Sequence, residues 1–458
     1  MKRFTLIPLM VISCLTPAIG SEAGAIFLLI SPGARASGMG ETNVAVADDA
    51  YASYWNPAGL GFLKGNEFAM MHVNWLPNLA DDLYYDFFAF RKHIPYLGTV
   101  GGHLIYLSLG EQIRMGETAL DYLGTFTSFM TAATVSYSSL LSQNSSIGIN
   151  AKIFYQHLVE IGAGAEEGKG VSLDFGFDLG YLKKGFLMPN LDLGITITNI
   201  GPKVAFIDPA QADPQPTNLT LGFKYDVFDS EFNKLALVYD VDKLLVSSYP
   251  DMDWDGDGYV GGYDIGGDPS IGGEYNQDGD REFAHTDPVY LAIFTSWVDD
   301  WLLGGDQDLA PNSGGTTDGI IGGYVWDDIN GDGTINITSD VNTNEIIASG
   351  ISDENIDPGD ADWGIYNEYG QKEVGNAEDR SIKNELEKLV HNFGMEYWYS
   401  EIFAIRAGYY LDQSGKISNP TFGVGLRFSG YGFDFGYTSG KPGHPLANTM
   451  RFSLNWEF

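Results

Sequence analysis

Stretches of about ten residues in which apolar and polar side chains alternate recur along most of this chain. The clearest runs from Gly170 to Leu182, where the odd-numbered residues 171–181 are apolar and the even-numbered residues 172–180 are polar or glycine. Successive side chains of a strand point to opposite faces, so one face of this strand is apolar and the other polar. A tilted strand that crosses a bilayer needs about 9–11 residues. The pattern therefore predicts an all-β transmembrane barrel with lipid outside and a polar lumen inside.

Fourteen such segments are predicted, nine before a long insertion and five after it. They are 67–75, 82–92, 98–108, 125–138, 146–157, 170–182, 191–200, 217–227, 234–246, 389–399, 403–411, 421–428, 432–438 and 449–458. An even number of antiparallel strands puts both chain ends on one side, as a bacterial outer-membrane barrel requires. The 58 glycines and the 14% of aromatic residues agree with a barrel. A soluble sandwich or propeller would also alternate, but no blade-like repeat is present.

We expect an export signal at the N-terminus of the chain and a membrane-insertion signal at its C-terminus. Residues 1–20 read as a signal peptide, with a basic start, an apolar core from Phe4 to Leu15 and small residues before Ser21. Val11 to Cys14 also resembles a lipoprotein box, which would make Cys14 a lipidated N-terminus instead. The last strand places aromatic residues at alternate positions and ends on Phe458, and in this it resembles the signal for outer-membrane insertion.

Residues 21–65 are predicted to form a plug, or hatch, inside the barrel. The segment Ala36 to Gly61 is rich in small residues and has neither strand alternation nor an unbroken helical face. Within it, Asp48 and Asp49 could be an acid–base pair, but adjacent acids more often cap a turn and bond within the lumen. The run Asn56, Pro57, Ala58 and Gly59 predicts a rigid turn, because proline fixes its own φ and asparagine bonds nearby backbone.

The insertion, 249–380, contains most of the excess negative charge. Asp251 to Arg380 has 30 of the 61 acidic residues and 3 of the 25 basic ones. The net charge of −36 argues against nucleic acid as a partner. With a periplasmic N-terminus the ninth strand ends outside, so we expect the insertion to be extracellular. Its one apolar piece, Val289 to Leu303, predicts a helix or a hairpin.

Two loops of the insertion have the spacing of a calcium site. The first has acids at positions 1, 3, 5 and 12, namely Asp253, Asp255, Asp257 and Asp264, with glycine at position 6. This is the pattern of EF-hand-type loops, in which alternate side chains supply oxygen ligands to Ca²⁺. The second loop has the same first eight positions but places an acid one residue beyond position 12; its candidates are Asp328, Asn330, Asp332 and Asp340. The alternative for both is a solvated acidic surface loop.

No catalytic motif accompanies these features. The chain has no H-E-x-x-H or G-x-S-x-G sequence and no Walker-type phosphate loop, and we therefore expect a protein that is not an enzyme.

Several blocks resemble the FadL-like outer-membrane proteins, in particular their PorV/PorQ branch. The hatch blocks are 38–40, 45–50 and 54–59, and the C-terminal blocks, closest to PorV, are 396–399, 403–409 and 445–454. The resemblance implies a 14-stranded barrel of the type IX secretion system, in the outer membrane of a diderm bacterium. It further implies that the protein binds the C-terminal signal domain of secreted cargo and carries it from a translocon to a sortase-type partner.

Two other functions remain open at this stage. A FadL-type channel for hydrophobic small molecules would use the hatch as its gate and the lumen as its path. A surface adhesin would present the calcium-ordered insertion on a barrel anchor. The insertion departs from the family pattern, because it occupies the region where cargo and partners would dock.

Overall fold

The computed structural model describes residues 23–80, 82–115, 122–159, 170–206, 212–249, 285–299, 382–440 and 447–458. They belong to two units. The first contains residues 23–245 and 388–458, and the second contains residues of the range 246–387.

The first unit is a closed barrel of fourteen antiparallel strands. Strands β1 to β9 span Asn66–Asn74, Leu83–Ile94, Gly98–Met115, Tyr122–Ser142, Ser145–Val159, Gly170–Lys183, Leu191–Ile200, Asn218–Asp229 and Asn233–Leu244. Strands β12 to β16 span Val390–Tyr399, Phe403–Asp412, Ile417–Phe428, Tyr431–Thr438 and Thr449–Glu457. Neighbours in sequence are neighbours in the sheet, β9 pairs with β12, and β16 closes the barrel against β1. The predicted fold class is confirmed.

Three strands are at least four residues longer than their sequence patterns predicted. Strand β3 continues to Met115 instead of ending at Ser108, and β4 begins at Tyr122 and ends at Ser142. A register shift near Gly110, whose φ is 75°, interrupts the alternation of β3, so the pattern appeared to stop there. The third is β14, which was predicted to begin at Thr421 because a proline within a run usually argues against a strand. The strand begins at Ile417 instead and includes Pro420, which pairs with Tyr409 of β13.

The apolar face of each strand points outward. In β6 the side chains of Leu173, Phe175 and Phe177 are 73%, 51% and 48% exposed, whereas Ser172 and Asp178 are buried. A water-soluble protein would bury the apolar side chains and expose the polar ones, so this arrangement fits a wall that faces lipid.

Aromatic side chains form two outer clusters, one toward each end of the barrel. The first contains Phe68, Phe90, Trp456 and Phe458, with ring centroids of contacting pairs 4.7–6.4 Å apart. The second joins Tyr84, Tyr106, Phe129 and His157. Such girdles mark the two interfaces of a membrane-embedded barrel.

The two ends of the barrel differ in their connections. At the short-turn end, where β1 begins and β16 ends, strands are joined by 95–97, 143–144, 184–190, 230–232, 400–402 and 429–430. At the long-loop end the connections are mostly longer and include 160–169, 201–217, 245–389 and 439–448.

The second unit contains the described parts of the insertion. Strands β10 and β11, Ser248–Tyr249 and His285–Thr286, form a two-stranded sheet, and helices cover Val289–Thr295 and Ile382–Glu387. The apolar piece predicted as a helix or hairpin is thus helical over Val289–Thr295. In the part of the chain that the structure describes, no helix is long and apolar enough to span a bilayer.

Candidate functional site

The hatch runs through the lumen from one end of the barrel to the other. At the long-loop end the backbone N–H of Gly24 donates to the carbonyl of Pro214, in the connection between β7 and β8. At the short-turn end Lys184 lies over the ring of Phe62, 4.5 Å from its centroid. Between these points the segment forms 3-10 helices over Ile26–Leu29 and Pro57–Phe62, and the short helices α1, Ala34–Gly38, and α2, Ala52–Trp55.

Glycines of the wall let the hatch backbone approach the strands directly. A Cβ added to Gly408 would lie 2.1 Å from the nitrogen of Gly40, and one on Gly148 would lie 2.2 Å from the carbonyl carbon of Pro57. The same close approach occurs at Gly180, Gly194, Gly222, Gly394, Gly423 and Gly436. Because no side chain fits between these backbones, the glycine content of the strands serves hatch packing as well as turns.

The Asn56 to Gly59 motif fastens the hatch to the wall. Asn56 is fully buried, and its Oδ1 accepts a hydrogen bond from the N–H of Ala58 (3.1 Å). Its Nδ2 donates to the carbonyls of Val44 (2.9 Å) and Tyr181 (3.1 Å). The Ala58 carbonyl accepts hydrogen bonds from the hydroxyls of two wall serines, at 3.2 and 2.6 Å. This short turn therefore satisfies polar groups of both hatch and wall.

Asp48 and Asp49 both turn toward Arg35 of the hatch. Arg35 Nη1 hydrogen-bonds Asp48 Oδ1 and lies 3.6 Å from Asp49 Oδ2. Asp49 Oδ1 also accepts the N–H of Tyr51 at 2.9 Å, so this acid caps the turn before α2. Burial raises the pKa of Asp49 to about 7, with a smaller contribution from the negative charge of Glu67, although Arg35 opposes the shift. The pair therefore holds the hatch, through Arg35 and through the turn before α2.

A buried ion-pair network extends from Arg35 into the wall. Arg35 donates two hydrogen bonds to Glu396 of β12, each 2.8 Å long. Glu396 also accepts from Arg406 of β13 (2.7 Å), and Arg406 donates to Asp434 of β15 (2.8 Å). Asp434 is held as well by Arg427 at 2.8 Å. Desolvation alone would lower the pKa of Arg35, but the carboxylates of Asp48 and Glu396 raise it above its ordinary value.

Sequence reasoning did not single out Arg35, Glu396, Arg406 or Asp434. The signal that could have found the wall members is their position, because each is a charged residue on the inward-facing side of an alternating strand. The pairing of Arg35 with Glu396 could not be predicted from sequence, because the two residues are 361 positions apart.

A second polar cluster holds the other side of the hatch. Lys152 of β5 contacts Asp178 of β6 at 2.7 Å, and Asn150 bridges Asp178 to the hatch by donating to the carbonyl of Ser53 at 2.8 Å. On β9, Asp240 Oδ2 accepts the backbone N–H groups of Asn43 (2.8 Å) and Val44 (3.0 Å). Hatch backbone groups without partners in their own segment are thus satisfied by wall side chains.

The predicted calcium ligands lie outside the described residues, so both loops stay predictions. They are Asp253, Asp255, Asp257, Asp264, Asp328, Asn330, Asp332 and Asp340. Over the ranges that the structure describes, no group of three or more His, Cys, Asp or Glu side chains is placed to hold a metal ion.

Comparison with known proteins gives one match in sequence and several in fold. Residues 19–251 match the family model described as type IX secretion system protein PorV. No curated protein sequence matches the chain.

The solved structures that resemble the chain are distant. They include the toluene transporter TbuX of Ralstonia pickettii (12% identity, 94% of this chain and 97% of that chain, TM-score 0.41). The toluene transporter TodX of Pseudomonas putida shares 12% identity over 93% of this chain and 96% of that chain, with a TM-score of 0.42. A FadL homologue of Pseudomonas aeruginosa shares 9% over 96% and 99%, with a TM-score of 0.39. At these scores the likeness carries no argument about function.

Proposed function

Because the chain belongs to the PorV family of type IX secretion system proteins, we propose that it is a cargo-binding shuttle of the outer membrane. It binds the C-terminal signal domain of secreted proteins at the cell surface. It accepts this cargo from a translocon and delivers it to a sortase-type attachment partner. The role is not enzymatic.

The observation that carries this proposal is the filled lumen. The hatch is buried along nearly all of 34–61, its backbone touches glycines of the wall, and ion pairs fix it to β12. A barrel closed in this way is suited to binding proteins at its extracellular end rather than to letting a folded or extended protein pass through its lumen. The long-loop end offers such a surface, because outer-membrane barrels keep short turns in the periplasm and longer loops outside.

In this orientation the acidic insertion is extracellular, since it lies in the 245–389 connection of the long-loop end. Its charge would then face the partners and the cargo.

We also propose that calcium orders the two EF-hand-like loops of the insertion. The double variant Asp255→Asn, Asp332→Asn should bind two calcium ions fewer than the wild type in titrations of the purified full chain. Unchanged stoichiometry would remove calcium from the proposal.

Site-specific photo-crosslinking in native membranes tests the shuttle. A crosslinkable residue replaces Asn78 or Asn448 at the long-loop end, and Leu187 or Ser429 at the short-turn end as the matched control. Long-loop positions should capture secreted proteins that share one C-terminal domain, and the short-turn positions should not. Capture of no such protein from any long-loop position would contradict the shuttle.

The alternative is a channel for hydrophobic small molecules. One feature favours a channel. An apolar cluster surrounds the 3-10 helix Ile26–Leu29, where Phe27 packs on Phe154 in a cluster that also contains Leu107. Proteoliposomes distinguish the two functions. Uptake of a monoaromatic hydrocarbon that depends on the wild-type barrel would support the channel, and uptake no faster than through protein-free liposomes would support the shuttle.

A further inference from the structure

Most buried carboxylates of the lumen are neutralised by a basic side chain. Glu396 contacts two arginines, Asp434 contacts two, Glu67 contacts Arg91 at 2.6 Å, and Asp178 contacts Lys152. This pairing is expected, because an ionised carboxylate removed from water requires a counter-charge or loses its charge.

Asp240 and Asp242 of β9 depart from this rule. Asp240 is 1% exposed and Asp242 is partly buried. Among the side chains that the structure places, neither carboxylate has a basic group within ion-pair distance. Their hydrogen-bond donors are neutral: two hatch N–H groups for Asp240, and Asn218, Thr220 and Asn392 for Asp242.

Three oxygen atoms around these carboxylates accept no hydrogen bond from any described residue. They are the Oδ1 atoms of Asn43, Asp240 and Asn392, and the three residues are 2%, 1% and 2% exposed. Asn392 is the direct cross-strand partner of Asp240, and its Nδ2 already donates to Asp242 at 2.7 Å. Asn43 belongs to the hatch turn that Asp240 holds. A buried acceptor without a donor in the protein requires another partner, which is a water molecule or a bound ion.

Gly222 of β8 packs closely beside Asp240, its cross-strand partner. A Cβ at position 222 would lie 2.6 Å from Asp240 Oδ1, 2.9 Å from the nitrogen of Ala45 and 3.0 Å from the Cβ of Val44. A residue of any other type there would therefore displace the carboxylate or the hatch turn that it holds.

We propose that Asp240, Asp242, Asn392 and Asn43 bind a calcium-type divalent cation between the hatch and the wall. Two carboxylates supply the charge that balances such an ion, and two amide oxygens add neutral ligands. The four residues offer only oxygen atoms as metal ligands, and this suits hard cations and not Zn²⁺ or Cu²⁺. Calcium accepts six to eight oxygens in irregular geometry, whereas Mg²⁺ requires a near-ideal octahedron.

The site couples ion binding to the position of the hatch. Asp240 holds the hatch turn through Oδ2 and offers Oδ1 to the ion, while Asn43 contributes from the hatch itself. Binding should therefore strengthen hatch docking. This inference does not depend on the shuttle or on the loops of the insertion.

Calcium titration and thermal unfolding of the chelator-treated full chain test the site. Asp240→Asn should bind one calcium ion fewer than the wild type, and Asn392→Ala should weaken the same ion roughly ten- to a hundredfold. The insertion is intact in every variant, so the difference isolates the lumen. Asp178→Asn is the matched control, because it also alters a buried carboxylate and should keep the wild-type calcium response.

Calcium should reverse the order of thermal stability between the wild type and Asp240→Asn. Without calcium Asp240→Asn should be at least as stable as the wild type, because it removes an unpaired buried charge; with calcium it should be less stable. A purely structural role for Asp240 would lower stability under both conditions. Equal calcium stoichiometry and equal thermal shifts in the wild type, Asp240→Asn and Asn392→Ala would overturn the proposal, as would an equal shift with magnesium. If Asp240→Asn does not fold, Asn43→Ala in the hatch supplies the same comparison.

Discussion

Removing the Arg35 side chain should release the hatch from the wall. Arg35 is the hatch member of the ion-pair network: it makes a two-bond contact with Glu396 and also holds Asp48. Its side chain is 11% exposed and that of Glu396 is 6% exposed, so water cannot replace the lost contact easily. The substitution Arg35→Ala leaves the wall partners in place and changes only what the hatch offers them.

The expected cost can be estimated from burial and pairing. Breaking a buried ion pair by removing one partner costs about 3–5 kcal/mol, because the remaining charge stays buried. Glu396 keeps Arg406 at 2.7 Å, so the low end applies. A loss of about 3 kcal/mol shifts the equilibrium between docked and undocked hatch roughly a hundredfold.

Hydrogen exchange of hatch peptides, measured by mass spectrometry in nanodiscs, reads this equilibrium directly. Peptides from 34–61 should exchange about a hundredfold faster in Arg35→Ala, while strand peptides should change little. Lys234→Met is the matched control, since it breaks an exposed ion pair with Glu401 that contributes less than about 1 kcal/mol. Arg35→Lys should recover only part of the protection, because lysine lacks the two-pronged donor geometry.

Unchanged hatch exchange in Arg35→Ala would refute the reasoning. It would mean that backbone packing against the wall glycines holds the hatch without the network. A second readout is permeability: deletion of 36–61 should make proteoliposomes swell in small solutes, and Arg35→Ala should give part of that effect.

Three further predictions concern the same barrel. The raised pKa of Asp49 means that the docked hatch binds the proton of this carboxyl more tightly than the unfolded segment does. Its contribution to hatch stability is therefore complete below about pH 4 and is lost as the pH rises through about 7. Hatch exchange, corrected for its intrinsic rate, should increase from pH 5 to 8 in the wild type and not in Asp49→Asn. Gly148→Val should prevent docking of the Pro57 turn, because the first added carbon already meets its backbone at 2.2 Å; wild-type exchange of peptide 56–62 would contradict this. Phe177→Arg on the outer face should destabilise the barrel by about 2–4 kcal/mol in urea titrations in a bilayer if that face meets lipid, and a neutral effect would place it in water.

Alternation was sufficient to predict the wall. From Val171 to Tyr181 every outward and inward side chain could be assigned from sequence, because period-two patterning depends only on local strand geometry and on the difference between lipid and lumen. The pattern failed where local rules were broken by tertiary context, at the irregularity near Gly110 and at Pro420 inside β14.

The contacts of the hatch could be predicted only in part. Asn56 and Pro57 indicate a turn by their own chemistry, and Asp49 indicates a cap. Their partners in the wall depend on how strands distant in sequence close into a barrel, which no local pattern encodes. For the same reason the glycines that receive the hatch look like ordinary turn or strand glycines in the sequence.

The distance in sequence between the hatch and its partners has a consequence for biogenesis. Ala34 bonds Ser453 of the last strand, and Ser37 contacts Thr438 of the strand before it, across 419 and 401 residues. These partners lie in the last two strands of the barrel, and β16 must also reach β1 before a lumen exists. The hatch therefore cannot complete its contacts until the wall has closed around it, and a docked hatch signals that the barrel is complete.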